Sequence, residues 1–465
     1  MKVVLMRRVA VGCALLAGSA LFTAPPTAAT AAPTVSTPQP AVAAAATTTA
    51  TATATTAATT AAGNTDRRVA FRPVTASLTG RPGAVGATIA RAGRAQSLDT
   101  GVVAVPTGLA VIGATWAEGT GSGIRLSYRE KRAGVWSAWK SVDVETCDDC
   151  ASPSAPTRAG SAPVTITGAT HVQARLVADT PVSDARLSVI DPADPGTTQA
   201  ATPAATSGAA PAAAPVNGAV AAPLPAITAS RGGLVSASPT LGVPGVRGAR
   251  AASLPAAPQG LPGPRRMPAK REVWRATETD AAHQLDIVVP RGIVVHHTAG
   301  TNNYTRSQVP AILRGIQRFH TRDRGWSDIG YNVLVDRYGR VWEGRWGGIG
   351  LPHRGAHASG VNQTYLGVSY IGDTSARKAS AAGVRAIVDV VAWTSVRYGF
   401  DVGDTMRVNS RTAPVVPGHY QVGNTPTSCP GVDLRRRLPE IRERAERLAQ
   451  EYRDETAANV ARGTE

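Results

Sequence analysis

The chain has 465 residues, a formal net charge of +17 and four cysteines, and 43% of its residues are hydrophobic. That length suits two or three domains, and no apolar run is long enough to span a membrane as a mature helix. The basic balance fits an anionic partner such as bacterial wall phosphate polymers and fits plain solubility equally well, and the chain lacks the interleaved aromatic–basic groove signature of a nucleic-acid binder.

Lys2, Arg7 and Arg8 precede an apolar run over residues 9–22 and an A-x-A site at Ala29-Thr30-Ala31. Residues 1–31 therefore read as a signal peptide, and the mature protein as secreted and wall-associated. Residues 32–66 are nearly all Ala, Thr and Pro, as in "ATTTATATATTAATTAA". They lack the large apolar side chains that offset chain entropy and read as a disordered tether.

Residues 67–193 consist of short alternating runs bounded by turn residues, among them "AVIGATWAE", "IRLSYREK", "VWSAWKSVDVE", "PVTITGAT" and "HVQARLVAD". This pattern predicts a small β-sandwich. Its acids and histidines form no tight constellation, so a binding or spacing module is expected. Trp116, Trp136 and Trp139 fit the core better than a sugar-stacking platform. In "TCDDC", Cys147 and Cys150 suit a local disulfide in an exported protein. Cys429 is then left over, as an intermolecular partner, a buried thiol or a metal ligand. Residues 194–270, rich in Ala, Pro and Gly, read as a second linker.

Residues 271–447 change character. The strand "RGIVVHHTAGT" precedes a helix in "SQVPAILRGIQRFHTRD", with Val309, Ile312, Leu313, Ile316 and Phe319 on one face and Pro310 in the first turn. "GYNVLVDRYGRVWEGR" reads as two strands joined by a turn at residues 336–339, and "LGVSYIGD" as another. A second helix is expected near residues 379–398. A final helix from about Leu434 carries Leu434, Leu438, Ile441, Leu448 and Tyr452 on one stripe, with Glu440–Arg444 and Glu443–Arg447 outside. Residues 448–465 complete that helix and the tail. The fold class is mixed α/β, a central sheet flanked by helices, behind the β-sandwich-like domain.

Adjacent strand residues face opposite ways, so His296 and His297 cannot line one pocket together. The Gly/Pro-rich loop "PGHYQVGNTPTSCPG" brings His419 and Cys429 together. Imidazole and thiolate both bind Zn2+, and catalytic zinc sites use three protein ligands and an open position. His296, His419 and Cys429 would supply such a set, although an incidental histidine and a buried cysteine fit the same spacing.

"VVHHTAG", "GWSDIGYNVLVDRYGRVWEGR", "GAHASGVNQTYLGVSYIGD" and "PGHYQVGNTPTSCPG" occur in the order found in one family. The segment from Trp274 to the last helix resembles the peptidoglycan recognition protein and type 2 N-acetylmuramoyl-L-alanine amidase family. The resemblance implies Zn2+ held by His296, His419 and Cys429, with His297 not a ligand. It implies Tyr331 near the metal-bound water and Thr427 as a second hydrogen-bond donor to the reacting centre. His357, Asn362 and Trp326 match positions of the substrate groove. The implied activity is hydrolysis of the amide between N-acetylmuramic acid and L-alanine by a monomer whose partner is peptidoglycan. Members that only bind or sense peptidoglycan typically lack the ligand cysteine. Two departures stand out: Thr427 occupies the place of a lysine in phage members, and the loop from His419 to Cys429 is two residues longer than usual. No general base is marked. Ser369 stands where some amidases carry an acid, and Glu343 reads as half of an ion pair, with Arg345 the nearest candidate.

Overall fold

The computed structural model describes residues 66–74, 96–145, 156–193, 254–279 and 286–463. The leader, most of the tether, Cys147 and Cys150 lie outside them. The expected disulfide therefore does too.

Among the described residues the β-rich domain is two antiparallel sheets, of six and seven strands, with one apolar cluster between them. Its strand His171–Ala178 alternates as a half-buried strand should, with Val172, Ala174, Leu176 and Ala178 turned inward. The strand Leu109–Trp116 is instead buried at every position. Ala110, Ile112, Ala114 and Trp116 join the cluster between the sheets. The other face of the strand docks on the second domain: Leu109 joins the cluster around Ile312 and Ile316, and Val111 packs with Ile190 against Phe319. Gly113 is pressed so closely that a Cβ there would lie 2.3 Å from the Phe319 ring. Trp116 is core, whereas Trp136 and Trp139 are half-buried and interleave with Arg129 and Arg175.

The α/β domain is built on β1 (Gly292–His297), β2 (Val333–Val335), β3 (Val341–Glu343) and β4 (Tyr365–Tyr370). The sheet order is β1-β4-β2-β3, parallel except for the β2–β3 hairpin. That hairpin turns where expected. Asp336 accepts the Tyr338 and Arg340 amides, and Gly339 takes φ +80°. Helix α1 (Val309–Arg318) buries Val309, Ile312, Leu313 and Ile316, then continues as a π-helical turn through Phe319–Asp323. Helix α2 (Ala381–Tyr398) is capped by Ser380, which accepts the Gly383 amide. Helix α3 (Val432–Ala461) buries Leu434, Leu438, Ile441 and Tyr452 and carries both expected surface ion pairs. Leu448 is only partly buried, its place in the stripe taken by Ala445 and Ala449.

Two expectations need correction. Residues 254–270, assigned to the linker, lie among the described residues and dock on the α/β domain. There the Pro255 and Pro262 carbonyls accept from Arg397 and Trp393 of α2, and the Arg265 amide donates to Tyr452 of α3. Its prolines lack donors but keep acceptors, so a Pro-rich strap can still dock on helix side chains. Glu343 pairs with Lys270 (3.4 Å) and accepts the Gly347 amide, while Arg345 bonds Ser327 and the Ile329 carbonyl. Along a strand, positions 343 and 345 share a side, but the chain leaves β3 after Glu343 and the two part.

The domains are also joined by polar contacts around the π turn. Asp323 accepts from Arg68 and Ser188 at 2.7 Å each, and the Thr301 amide donates to the Thr165 carbonyl. Arg324, 1% exposed, donates to the carbonyls of Arg158, Ser161 and Glu145 and lies over Trp326. The β-rich domain is thus fixed against the α/β domain at this face.

Candidate metal centre

His296 is the penultimate residue of β1, where alternation sends its ring toward the loop around Gly418. That loop runs beside β1, its Pro417 carbonyl accepting the Val295 amide, and so carries His419 and Cys429 to the strand end. Among the described residues, the ligand atoms of His296, His419 and Cys429 form one group, all within 4.8 Å of one another. All three side chains are buried.

The histidine tautomers follow from a chain of contacts. His357 Nε2 faces the Tyr365 carbonyl at 3.2 Å, so it carries the proton and His357 Nδ1 accepts. His296 Nε2 then donates to His357 Nδ1 across 3.0 Å. This leaves the His296 Nδ1 lone pair facing Cys429 Sγ at 3.5 Å. His357 therefore orients the His296 ring from behind. Asn362 fixes the His357 loop, its Oδ1 accepting the His357 and Ala358 amides. The structure places both residues inside the protein beneath the cluster, and neither faces open solvent.

His297 turns away, as the alternation requires. Its Nδ1 accepts the Thr374 amide at 3.1 Å, and its main chain approaches the centre, the N–H donating to Cys429 Sγ at 3.4 Å and the carbonyl facing the same sulfur at 3.8 Å.

Burial decides the protonation states. It pushes His296 well below the ordinary histidine value, His419 down to about 4 and His357 down to about 3. The same burial pushes the Cys429 thiol well above its usual value, against the pull of the His297 amide. Neutral imidazole lone pairs facing a buried thiol are a donor set suited to a cation. A divalent metal would use the lone pairs and stabilise the thiolate. The donor set fits zinc.

Tyr331 begins the segment before β2, its ring 5.4 Å from that of His296. Its hydroxyl donates to Glu145 Oε1 at 3.4 Å. Burial, with Glu145 second, holds that phenol well above its usual pKa, so it is a donor at neutral pH. Thr427 accepts the Cys429 amide on Oγ1 and donates its hydroxyl to Asp143 Oδ2 at 2.5 Å. Trp326 is buried, stacked on His320 and covered by Arg324. Ser369 lies beside His296 in the β1–β4 register and is buried.

Sequence reasoning missed Asp143 and Glu145, which come from the other domain. The run "VDVE" shows the two acids, but Asp143 falls at the break between the strands Lys140–Val142 and Val144–Glu145 of different sheets, so no single strand period marks them as a pair.

The chain matches the family of N-acetylmuramoyl-L-alanine amidases (Amidase_2) over residues 287–432. It is 33% identical over 145 residues to peptidoglycan-recognition protein SC1a of Drosophila melanogaster, an alignment covering 30% of this chain and 68% of that protein. It is 34% identical over 123 residues to human peptidoglycan recognition protein 3, covering 26% and 34%. A solved bumblebee PGRP-SA superposes with 26% identity and a TM-score of 0.31, over 37% of this chain and 94% of that one. The chain belongs to the peptidoglycan recognition protein and type 2 amidase family. Among the described residues no helix is long and apolar enough to cross a membrane.

Proposed function

We propose that the protein is a zinc-dependent hydrolase of the exported wall compartment that cleaves the amide between N-acetylmuramic acid and L-alanine in peptidoglycan. The observation that carries this reading is the buried convergence of His296, His419 and Cys429 beside the Tyr331 hydroxyl. Zinc there would polarise the amide carbonyl and acidify water to a pKa of about 7. The chain's own residues do the rest. His357 fixes the tautomer of His296, and the His297 amide supports the Cys429 sulfur as a thiolate. Tyr331 keeps its proton and, by turning its hydroxyl from the long bond to Glu145, can donate it as a hydrogen bond to charge that develops on the carbonyl oxygen. Trp326 with His320 forms the wall beside Tyr331.

The test is zinc content and release of stem peptides from purified peptidoglycan, measured by mass spectrometry on the full chain and on Cys429→Ser. One zinc per chain and peptides beginning at L-alanine, both lost in the variant, are expected. Zinc without peptide release would sink the hydrolase reading and leave a binding or sensing protein. One observation favours that second reading: the Thr427 hydroxyl, a candidate donor to the substrate, is taken by Asp143.

A further inference from the structure

The α/β domain spends its own acids away from the metal centre. Asp328 pairs with Arg271, Asp336 with Arg340, and Glu343 with Lys270, while Asp373 lies on the His297 side. None is placed to move a proton at Tyr331. The β-rich domain sends in two carboxylates instead, Asp143 and Glu145. Their roles separate. Asp143 is fully engaged in holding the ligand loop, accepting from Thr427 Oγ1 and from the Ser428 amide and hydroxyl. Glu145 is not. Its Oε1 accepts from Tyr331, but among the described residues its buried Oε2 accepts no hydrogen bond. Two groups face that oxygen, Arg324 Nη1 at 3.7 Å and His320 Nε2 at 3.9 Å. His320 Nδ1 accepts the Gly330 amide, so its Nε2 carries the hydrogen and points it toward Glu145.

We propose that Glu145, delivered by the β-rich domain, is the catalytic carboxylate that carries the proton in amide hydrolysis at this centre. The assignment rests on the hydrolase reading above. The position is built into the fold. Glu145 pairs with Gly160 in the sheet, and its carbonyl accepts from the buried Arg324 at 2.8 Å. In the step, the carboxylate takes a proton from the attacking water as the water oxygen bonds to the amide carbon. The carbon–nitrogen bond then breaks, and the same proton passes to the departing nitrogen. This yields the lactyl carboxylic acid and the free amine of L-alanine and restores the carboxylate. Burial lifts Glu145 to about 7 although Arg324 opposes the rise, which suits a group that must both take and give a proton near neutrality.

The experiment compares the full-length wild type with Glu145→Gln and Glu145→Asp. It reads steady-state hydrolysis of a soluble muramyl tripeptide, zinc content, and calorimetric binding of the same tripeptide to the Gln variant. Glu145→Gln is expected to lower kcat by roughly 10²- to 10⁴-fold, the range for loss of a general acid–base. KM should stay within about threefold, with zinc and tripeptide binding retained. Glu145→Asp keeps the charge beside Arg324 and shortens the reach, so it should fold normally and lose a smaller part of kcat. Wild-type kcat in either variant overturns the assignment. A gain in kcat would make the segment a cover over the site, and loss of zinc along with activity would make Glu145 structural; each overturns it too. A wild-type chain with zinc but no hydrolysis would sink the hydrolase reading itself, a result distinct from hydrolysis that survives Glu145→Gln.

Discussion

Replacing Arg324 with alanine removes a guanidinium that three carbonyls of the other domain share. Burial has already lowered its pKa to about 10, with Glu145 and Glu118 opposing, so it remains charged at neutral pH. A hydrogen bond from a charged donor contributes about 1.5–3 kcal/mol, so three give roughly 4–9 kcal/mol before the cost of desolvating the cation. Breaking one partner of a buried charge pair typically costs about 3–5 kcal/mol, because the other is left uncompensated. That lower figure is the better expectation here, since Glu145 would lose its cation and the carbonyls would meet water as the domains part. Urea unfolding of the full chain should show a loss of about 3–5 kcal/mol, or a separate early transition of the β-rich domain. Hydrolysis should fall in parallel even with zinc bound. A loss below about 1 kcal/mol with unchanged turnover would refute the view that Arg324 fixes one domain on the other.

His296→Ala and Cys429→Ser should each abolish zinc binding, whereas His297→Ala should keep it; an empty site in His297→Ala alone would reverse the assignment of the pair. His357→Ala frees the His296 ring to choose its tautomer and should weaken zinc affinity by roughly 10- to 100-fold in competition with a chromophoric chelator; unchanged affinity would show that His357 does not orient the ligand. The metal-free chain should lose stability as the pH falls from about 6.5 towards 4. The folded pKa values of His297, His353 and His419 are lowered to about 4 and that of His357 to about 3, so the unfolded chain binds more protons in that window. Each histidine adds a slope of up to about 1.4 kcal/mol per pH unit, while Glu145, raised to about 7, pulls the other way. Denaturant midpoints at pH 7 and pH 5 decide this, and equal midpoints would mean that these histidines are not buried neutral.

Much of the α/β domain was legible because its signals are local. Val309, Ile312, Leu313, Ile316 and Phe319 repeat at helical spacing, and the turn at residues 336–339 has the required chemistry. The alternation rule separated His296 from His297. The β-rich domain was legible as strands, but not as a neighbour of the metal centre. Its contribution depends on Val111 and Gly113 meeting Phe319, contacts more than two hundred residues apart that no local period encodes. His357 and Asn362 were tied to the site, but their position behind it depends on which way the imidazoles donate, which spacing does not carry. The docked stretch from residue 254 was missed because a proline-rich composition describes the unfolded chain well and says little of carbonyls that find helix donors.

The fit of Phe319 against Gly113 gives an experimenter a handle. A single methyl group at position 113 has no room, since the ring occupies the volume it would need. Gly113→Ala is therefore a wedge at the seam, chemically silent and set against the Phe319 ring. It would loosen the seam at Phe319 and so allow the half that carries His296, His419 and Cys429 to be observed with its acidic neighbour displaced, while every side chain of the candidate site is still encoded.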